Sequence, residues 1–196
     1  IEQRFYATTA KGRTLYDRCL AEADAAREKN PGLAKNDFAA YEEMYARPFT
    51  SFPKTLPELL AQGLVYARYN ATPTGFAAKG HIISTDIHEL VRSGYVDYEG
   101  LRYEDFLPVS AAGIFASNLN QYGTKATAAR RPVRTQADLE EILGRKIVDA
   151  NRTYAALEAE SLLRVYTDLG LLDKLPALEK VELERRCKAA APDARY

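Results

Sequence analysis

Residues 9–29 read TAKGRTLYDRCLAEADAAREK and form the clearest helical pattern in the chain. The apolar side chains recur at steps of three and four residues, which places them on one face of a helix. The sequence Asn30-Pro31-Gly32 follows directly and is a stop signal, because proline and glycine both oppose continuation of a helix. The pattern therefore predicts a helix that begins at Thr8 or Thr9 and ends at Lys29.

Further helical segments follow, separated by proline, glycine and polar residues. Two of them begin at side chains that can accept hydrogen bonds from the first turn: Thr85 or Asp86 in one, and Thr135 with Asp138 as a capping box in the other. The predicted helices span residues 37–46, 56–62, 86–92, 136–143, 151–169 and 173–190, the last interrupted early by Pro176.

Only short strands are predicted beside these helices. Residues 1–6 and 64–69 alternate well enough to form strands, and residues 95–98 and 101–103 flank Glu99-Gly100 as in a β-hairpin. The sequence thus predicts a helix-rich α+β unit with a few short strands, with residues 1–196 forming one domain.

The bulk composition excludes several classes of protein. In 196 residues the apolar fraction is 46% and the charged fraction 28%, which is typical of a globular domain. Lysine plus arginine equals aspartate plus glutamate at 27 each, so no overall field favours nucleic acid or an anionic membrane. Long uninterrupted apolar runs are also absent, so no membrane-spanning segment is expected. From the balanced charge and the lack of such runs, we expect neither a nucleic-acid nor a membrane partner.

Two features of the chain bear on its origin. Cys19 and Cys187 stand far apart in charged helical patterns, so we expect reduced thiols in a cytoplasmic protein. The sequence opens inside an apparent strand at Ile1, with neither an initiator methionine nor a signal peptide. We therefore expect the chain to be a piece of a longer protein.

Residues 103–115 read YEDFLPVSAAGIF and are not explained by packing periodicity. The run after Pro108 consists of small residues, so the backbone near Gly113 can approach a ligand or another strand closely. Glu104 and Asp105 are adjacent and point in opposite directions on an extended segment, so capping or ion pairing explains them better than acid-base catalysis.

Four blocks, in the same order, resemble the 2-oxoadipate dioxygenase/decarboxylase family of vicinal-oxygen-chelate-like non-haem iron enzymes. The strongest similarity lies in residues 103–119 and 2–17, and weaker similarity extends through residues 64–69 and 139–161. The resemblance covers about the first 160 residues: it implies that residues 1–6 are the end of the metal-site strand and that residues 8–161 are the family-like region. Residues 162–196 are then a helical C-terminal extension.

The resemblance implies an Fe(II) enzyme that converts 2-oxoadipate to 2-hydroxyglutarate with uptake of O2 and release of CO2, a step in lysine breakdown. Such a site uses two histidines and one carboxylate, and leaves positions for the oxo acid and O2. The family's histidine ligands come from upstream motifs without a counterpart here. The resemblance thus implies a C-terminal portion that packs on a metal-binding mixed β-sheet largely supplied by upstream sequence, and that lacks the full metal site alone.

The third ligand in the resembled family is a glutamate in the strand that ends Glu-Gln-Arg. It corresponds either to Glu2 or to the residue just before Ile1, in which case Glu2 is a neighbour on the same strand face. An ordinary surface ion pair is the alternative for Glu2, and the simplest role for Arg4 on that face.

The resemblance also implies that Val109 and Ser110 contact the distal carboxylate of the substrate. A tightly packed strand-to-loop transition is the alternative explanation for those small residues. His81 and His88 are the only histidines. Gly80 and Thr85 argue against one helix through both, and metal-binding pairs usually stand three or four residues apart, so a metal site there is not expected.

Two other functions remain open from the sequence. A winged-helix DNA-binding or regulatory module would use the helix that starts at Thr9 and a wing at Glu99-Gly100, although the balanced charge argues against it. A non-catalytic packing module would only support a catalytic part elsewhere.

Overall fold

A computed structural model describes residues 6–102 and 136–189. The described residues fall in two compact units, one with residues 136–149 and the other with residues 6–102 and 150–189. The helices are α1 (Ala10–Lys29), α2 (Leu33–Asn36), α3 (Phe38–Ala46), α4 (Leu56–Ala61), α5 (Pro73–Ala77), α6 (Ile87–Arg92), α7 (Gln136–Leu143), α8 (Ala150–Asp168) and α9 (Ala177–Ala189), with a 3₁₀ turn at Arg47–Phe49.

Local side-chain caps explain where several helices begin. The Thr9 hydroxyl accepts a hydrogen bond from the Gly12 amide at 3.1 Å, and this confirms the predicted start of α1. The carboxylate of Asp37 caps α3 in the same way, at 3.0 Å from the Ala40 amide. At α4 Thr55 and Glu58 form a full capping box.

Three helices differ from the predicted set. Helix α2 lies between the stop signal and α3, and helix α5 follows a Thr72 cap with Pro73 at its first position. Neither was predicted, because both are too short to show a periodic pattern. Helix α9 starts only after Pro176, so the residues immediately before this proline form turns and not the first part of a helix.

The sheet has two antiparallel strands, β1 (Ala67–Ala71) and β2 (Val96–Gly100), with Ala67 opposite Gly100. The predicted hairpin at Glu99-Gly100 is wrong, since both residues lie within β2. Gly100 serves close approach and not a turn, because a Cβ there would overlap the ring of Tyr6. The winged-helix hypothesis required a hairpin at Glu99-Gly100 as its wing, and the structure has a strand there instead.

The segment around Ala7 extends this pairing. Its amide donates to the Leu101 carbonyl at 2.7 Å, and its carbonyl accepts from the Tyr66 amide at 2.9 Å. Isolated antiparallel bridges join Tyr6 to Arg102 and residue 8 to residue 65. The strand predicted at residues 64–69 therefore consists of a bridge followed by β1, shifted toward the C-terminus.

Helix α8 packs on β1, α9 packs on α8, and the main core lies among them. Its buried residues come from the sheet, from α6 and the residue Ile82 before it, and from α8, α9 and the turn that joins them. The largest side chains below 2% exposure are Tyr166, Leu64, Leu90, Leu169, Leu171 and Val165. This arrangement confirms the helix-rich α+β class for the described part of the chain.

Side chains of α8 satisfy the edge of β1 that faces away from β2. The Ala67 amide donates to Oε1 of Glu158 at 3.0 Å, and the Tyr69 amide donates to the buried hydroxyl of Ser161 at 3.1 Å. Buried amides without partners are costly, so these two side chains replace the missing neighbour strand. Within residues 6–102 and 136–189, no helix is long and apolar enough to cross a membrane.

Candidate functional site

The residues predicted to form the site from the sequence are Glu2, Val109 and Ser110, and all three lie outside the described residues. The same holds for Arg4 and Gly113. Their predicted roles therefore stay predictions.

The two histidines do not form a metal site in the described chain. His88 lies in the first turn of α6, whereas His81 lies in a preceding turn, where its amide donates to the Ala78 carbonyl at 2.9 Å. Across the two described ranges, no three histidine, cysteine, aspartate or glutamate side chains come together as metal ligands would. These ranges therefore do not supply the donor set that the resemblance implies for iron.

A cleft of about 450 Å³ in the second unit lies among α1, α4, β1, α6, α8 and α9. A volume of that size is in the range of small-molecule sites, roughly 300–1,000 Å³. The lining residues are Thr9, Ala10, Lys11, Leu60, Gly63, Val65, Tyr66, Tyr69, Ile87, His88, Ala155, Glu158, Leu162 and Arg186.

One wall of the cleft is fixed by contacts between the start of α1 and the end of α4. The Thr9 hydroxyl donates to the Gly63 carbonyl at 2.8 Å, and the ammonium of Lys11 donates to the Gln62 carbonyl at 2.7 Å. Gly12 allows this approach, because a Cβ there would overlap the carbonyl oxygen of Leu64. Thr9 to Gly12 belong to one of the blocks that carry the family resemblance, so part of that block has a structural role here.

Tyr66, just before β1, and Tyr69, within β1, form another wall. The ring of Tyr66 stacks on Tyr154 with centroids 6.0 Å apart, and Tyr69 packs against Tyr98 at 6.3 Å. Burial, with a smaller contribution from the charge of Glu158, raises the pKa of Tyr69 to about 12. The phenol of Tyr69 is therefore neutral at physiological pH.

Glu158 and Arg186 face each other where α8 meets α9. The side chain of Glu158 is only 16% exposed, and its Oε2 lies 3.9 Å from a terminal nitrogen of Arg186. Burial raises the pKa of the Glu158 carboxyl, while the Ala67 amide and the guanidinium of Arg186 act in the opposite direction.

Sequence analysis did not identify Glu158 or Arg186. A weak signal was present, because Glu158 shares a helix face with Ser161 and the buried Val165 at spacings of three and four residues. An acid on an otherwise core-facing stripe is a candidate for a buried hydrogen-bonding role. No local pattern pointed to Arg186, whose partner lies on another helix.

Both cysteines are free, as predicted. Cys19 is buried in α1, and Cys187 is half-buried in α9. Burial, followed by the charge of Glu160, raises the pKa of the Cys187 thiol, so it does not resemble an activated nucleophile.

Comparison with known proteins identifies the family. The family model described as 2-oxoadipate dioxygenase/decarboxylase matches residues 1–118. A 2-oxoadipate dioxygenase/decarboxylase from Pseudomonas putida is 42% identical over 164 residues, which is 83% of this chain and 34% of the relative. Its Escherichia coli counterpart is 34% identical over 165 residues, or 84% of this chain and 34% of that protein.

A solved structure agrees with these relatives. The hydroxyglutarate synthase of Pseudomonas putida in complex with 2-oxoadipate superposes with a TM-score of 0.63 at 36% identity, and the match covers 86% of this chain and 35% of that one. The chain therefore spans about a third of the length of the relatives it matches. The matched residues, the sequence identity and the shared fold together show that this chain belongs to the 2-oxoadipate dioxygenase/decarboxylase family.

Proposed function

We propose that this chain is the C-terminal portion of an enzyme that converts 2-oxoadipate to 2-hydroxyglutarate with uptake of O2 and release of CO2. The observation that carries the proposal is the match to a family of that described activity over residues 1–118. The likeness to a hydroxyglutarate synthase structure solved with 2-oxoadipate supports the same substrate class. Two free cysteines are compatible with the reducing cytoplasm that we expect for it.

The proposed cofactor is Fe(II), held by Glu2 or by the residue before Ile1 together with histidines of upstream sequence. When bound, such an ion supplies electrons and open coordination positions for the oxo acid and O2. We further propose that upstream sequence provides most of a mixed β-sheet, and that Val109 and Ser110 bind the distal carboxylate of the substrate.

The bridge between Tyr6 and Arg102 supports a common site for these residues. Glu2 stands shortly before Tyr6 in the sequence, and Val109 with Ser110 stands shortly after Arg102. Because Tyr6 and Arg102 are antiparallel partners, the two segments start from neighbouring points of the described structure. The part of the chain built around this bridge would then act as the scaffold that brings both segments together.

A chimaera tests the activity directly. This chain would replace the segment that it matches in the Pseudomonas putida relative, and O2 consumption and 2-hydroxyglutarate formation would be measured with Fe(II) and 2-oxoadipate. We expect turnover that depends on both Fe(II) and the oxo acid. A folded chimaera that is inactive with 2-oxoadipate and with related 2-oxo acids would contradict the proposal.

The same chimaera separates the two assignments of the carboxylate ligand. If Glu2 is the ligand, Glu2→Gln lowers activity and iron content by more than about 100-fold, whereas a neighbour of the ligand costs about 10–100-fold. Glu28→Gln, at an exposed position of α1, is the matched control and leaves both unchanged. If activity and iron content are unchanged in Glu2→Gln, then Glu2 is neither the ligand nor its neighbour, and a surface ion pair is its remaining role.

Replacing Ser110 separates a substrate contact from simple packing. If its side chain binds the substrate, Ser110→Ala raises KM for 2-oxoadipate while the melting temperature stays the same. A lower melting temperature with unchanged KM would instead favour the non-catalytic packing module.

A further inference from the structure

Among the described residues, the guanidinium of Arg186 has two ion-pair partners, and both lie beyond hydrogen-bond distance. Its Nε lies 3.6 Å from Oε1 of Glu182, and a terminal nitrogen lies 3.9 Å from Oε2 of Glu158. Both separations exceed the usual hydrogen-bond range of roughly 2.7–3.2 Å. Glu182 is engaged elsewhere, because Arg185 donates to its two oxygens at 2.8 Å each. Within the described part of the chain, neither carboxylate takes a short hydrogen bond from Arg186, which leaves its donors for a ligand in the cleft.

The charges that line the cleft favour an anion. Lys11 and Arg186 are cationic, and Glu158 is the only acid among the lining residues. One carboxylate oxygen of Glu158 is occupied by the Ala67 amide, and burial favours its neutral form. Lys11 gives one hydrogen bond to the Gln62 carbonyl, and an ammonium has three donors in total.

The remaining surface of the cleft is mostly apolar. Aliphatic side chains come from four elements or their flanking residues, and the tyrosine rings described above complete the wall. The aliphatic lining residues are Leu60, Val65, Ile87 and Leu162. Apolar walls with a few convergent polar groups are typical of small-molecule sites, in which the polar groups orient the ligand.

We propose that this cleft binds a small organic carboxylate with a short apolar body. The carboxylate pairs with the guanidinium of Arg186, and the body lies against the walls formed by Val65, Tyr66 and Leu162. Arginine suits this role because its planar fork donates two parallel hydrogen bonds to a carboxylate. Nothing in the argument depends on the iron site or on the proposed reaction.

Butyrate and butan-1-ol are matched probes for the 196-residue chain, since they differ at the charged end. Two-dimensional NMR of the methyl and tyrosine ring signals would follow each titration. With six heavy atoms, butyrate is expected to bind with a dissociation constant on the order of 1 mM. The saturating shifts should cluster at lining residues such as Val65, Tyr66 and Leu162.

Arg186→Gln is expected to weaken butyrate binding roughly tenfold or more, because the charge-assisted pair is lost. Arg164→Gln is the matched control, since Arg164 is exposed on the neighbouring helix α8, pairs with Glu160 and does not line the cleft. Arg186→Lys keeps the charge without the fork, and its intermediate affinity would show that geometry contributes.

Three results would overturn the proposal. They are shifts that do not saturate with butyrate, equal binding of butan-1-ol, and equal weakening by Arg164→Gln and Arg186→Gln. A melting curve for each variant distinguishes lost binding from lost folding. If Arg186→Gln does not fold, Arg186→Lys and Lys11→Gln carry the test, and unchanged affinity in both would equally overturn it.

Discussion

The second unit contains two regions that are held together in different ways. Where α8 packs on the sheet and α9 packs on α8, large apolar side chains such as Tyr166 and Leu169 are almost completely buried. In the helical pair of α1 and α3, by contrast, α3 buries no residue, and α1 buries only Gly12, Cys19 and Ala23.

The helices α1 and α3 are held instead by helix caps and by partly buried polar and aromatic contacts. The hydroxyl of Tyr45 donates to Asp24 at 3.2 Å, and the rings of Tyr41 and Tyr45 stack at 5.7 Å. Partly buried contacts of this kind contribute less to the free energy of unfolding than a well-packed core, where buried apolar area stabilises by about 25 cal/mol per Å². The cleft therefore lies where a well-packed region meets a loosely packed one. Substitutions on its two sides should change the free energy of unfolding by different amounts.

The largest expected effect comes from the packed region. Leu169→Ala removes a fully buried side chain and should lower the free energy of unfolding by about 2–5 kcal/mol. Phe38→Ala, on the exposed face of α3, should stay within about 0.5 kcal/mol. Urea denaturation measures the free energy of unfolding of both variants. Equal decreases would show that the two regions do not differ in packing.

The next effect lies at the junction of the two regions. Gly12→Ala places a methyl group against the Leu64 carbonyl and should destabilise the protein by about 1–3 kcal/mol. Ala21→Ser adds an atom at an exposed position of the same helix, and its cost should be below about 0.7 kcal/mol. A Gly12→Ala variant as stable as the control in thermal unfolding would show that α1 can move away freely.

A smaller effect is expected within the helical pair. Asp37→Ala removes the cap of α3 and should cost about 1 kcal/mol, with a range of about 0.5–2 kcal/mol. Asp37→Asn retains an accepting oxygen and should recover most of this stability. Hydrogen exchange of the first amides of α3 would locate the loss, and uniform loss across the chain would argue against an independent, weakly held pair.

The smallest effect concerns pH and the edge of β1. In the folded state, the pKa of Glu158 is raised above its ordinary value of 4.5. Between these two pKa values the folded state binds more protons than the unfolded state, so this group lowers the free energy of unfolding as pH rises. Glu158→Gln should therefore gain stability relative to the wild type as pH rises above 4.5. Carboxyls with a lowered pKa, such as Asp86, occur in both proteins and cancel in the difference. A pH-independent difference in unfolding free energy would contradict the burial of this carboxyl.

Local chemistry made much of the fold predictable. Thr9, Asp37 and Asp86 each stand one residue before a helix and cap it through a hydrogen bond that spans two or three residues. Such signals depend on neighbouring residues alone. The stop after α4 was equally local, because Gly63 has a φ of +65°.

Pairing between distant segments was not predictable in this way. Glu99-Gly100 has the composition of a turn, yet the glycine is explained by the ring of Tyr6, far away in the sequence. The cleft depends on similar long-range placement, since Glu158 faces β1 and Arg186 meets it from another helix. Family resemblance supplied Glu2, Val109 and Ser110, which no periodic pattern would have singled out.

The edge of β1 has a consequence for the order in which the chain folds. Its Ala67 and Tyr69 amides bond to side chains that come 91 and 92 residues later in the sequence. Closing such long loops is slow, and on the ribosome the partner helix emerges long after the strand. Until α8 is synthesised, the N-terminal half carries an unsatisfied strand edge, which is the feature that chaperones and aggregation both exploit. The synthesis of α8, and not the formation of the N-terminal helices, would then set when the edge of β1 is protected from pairing with another chain.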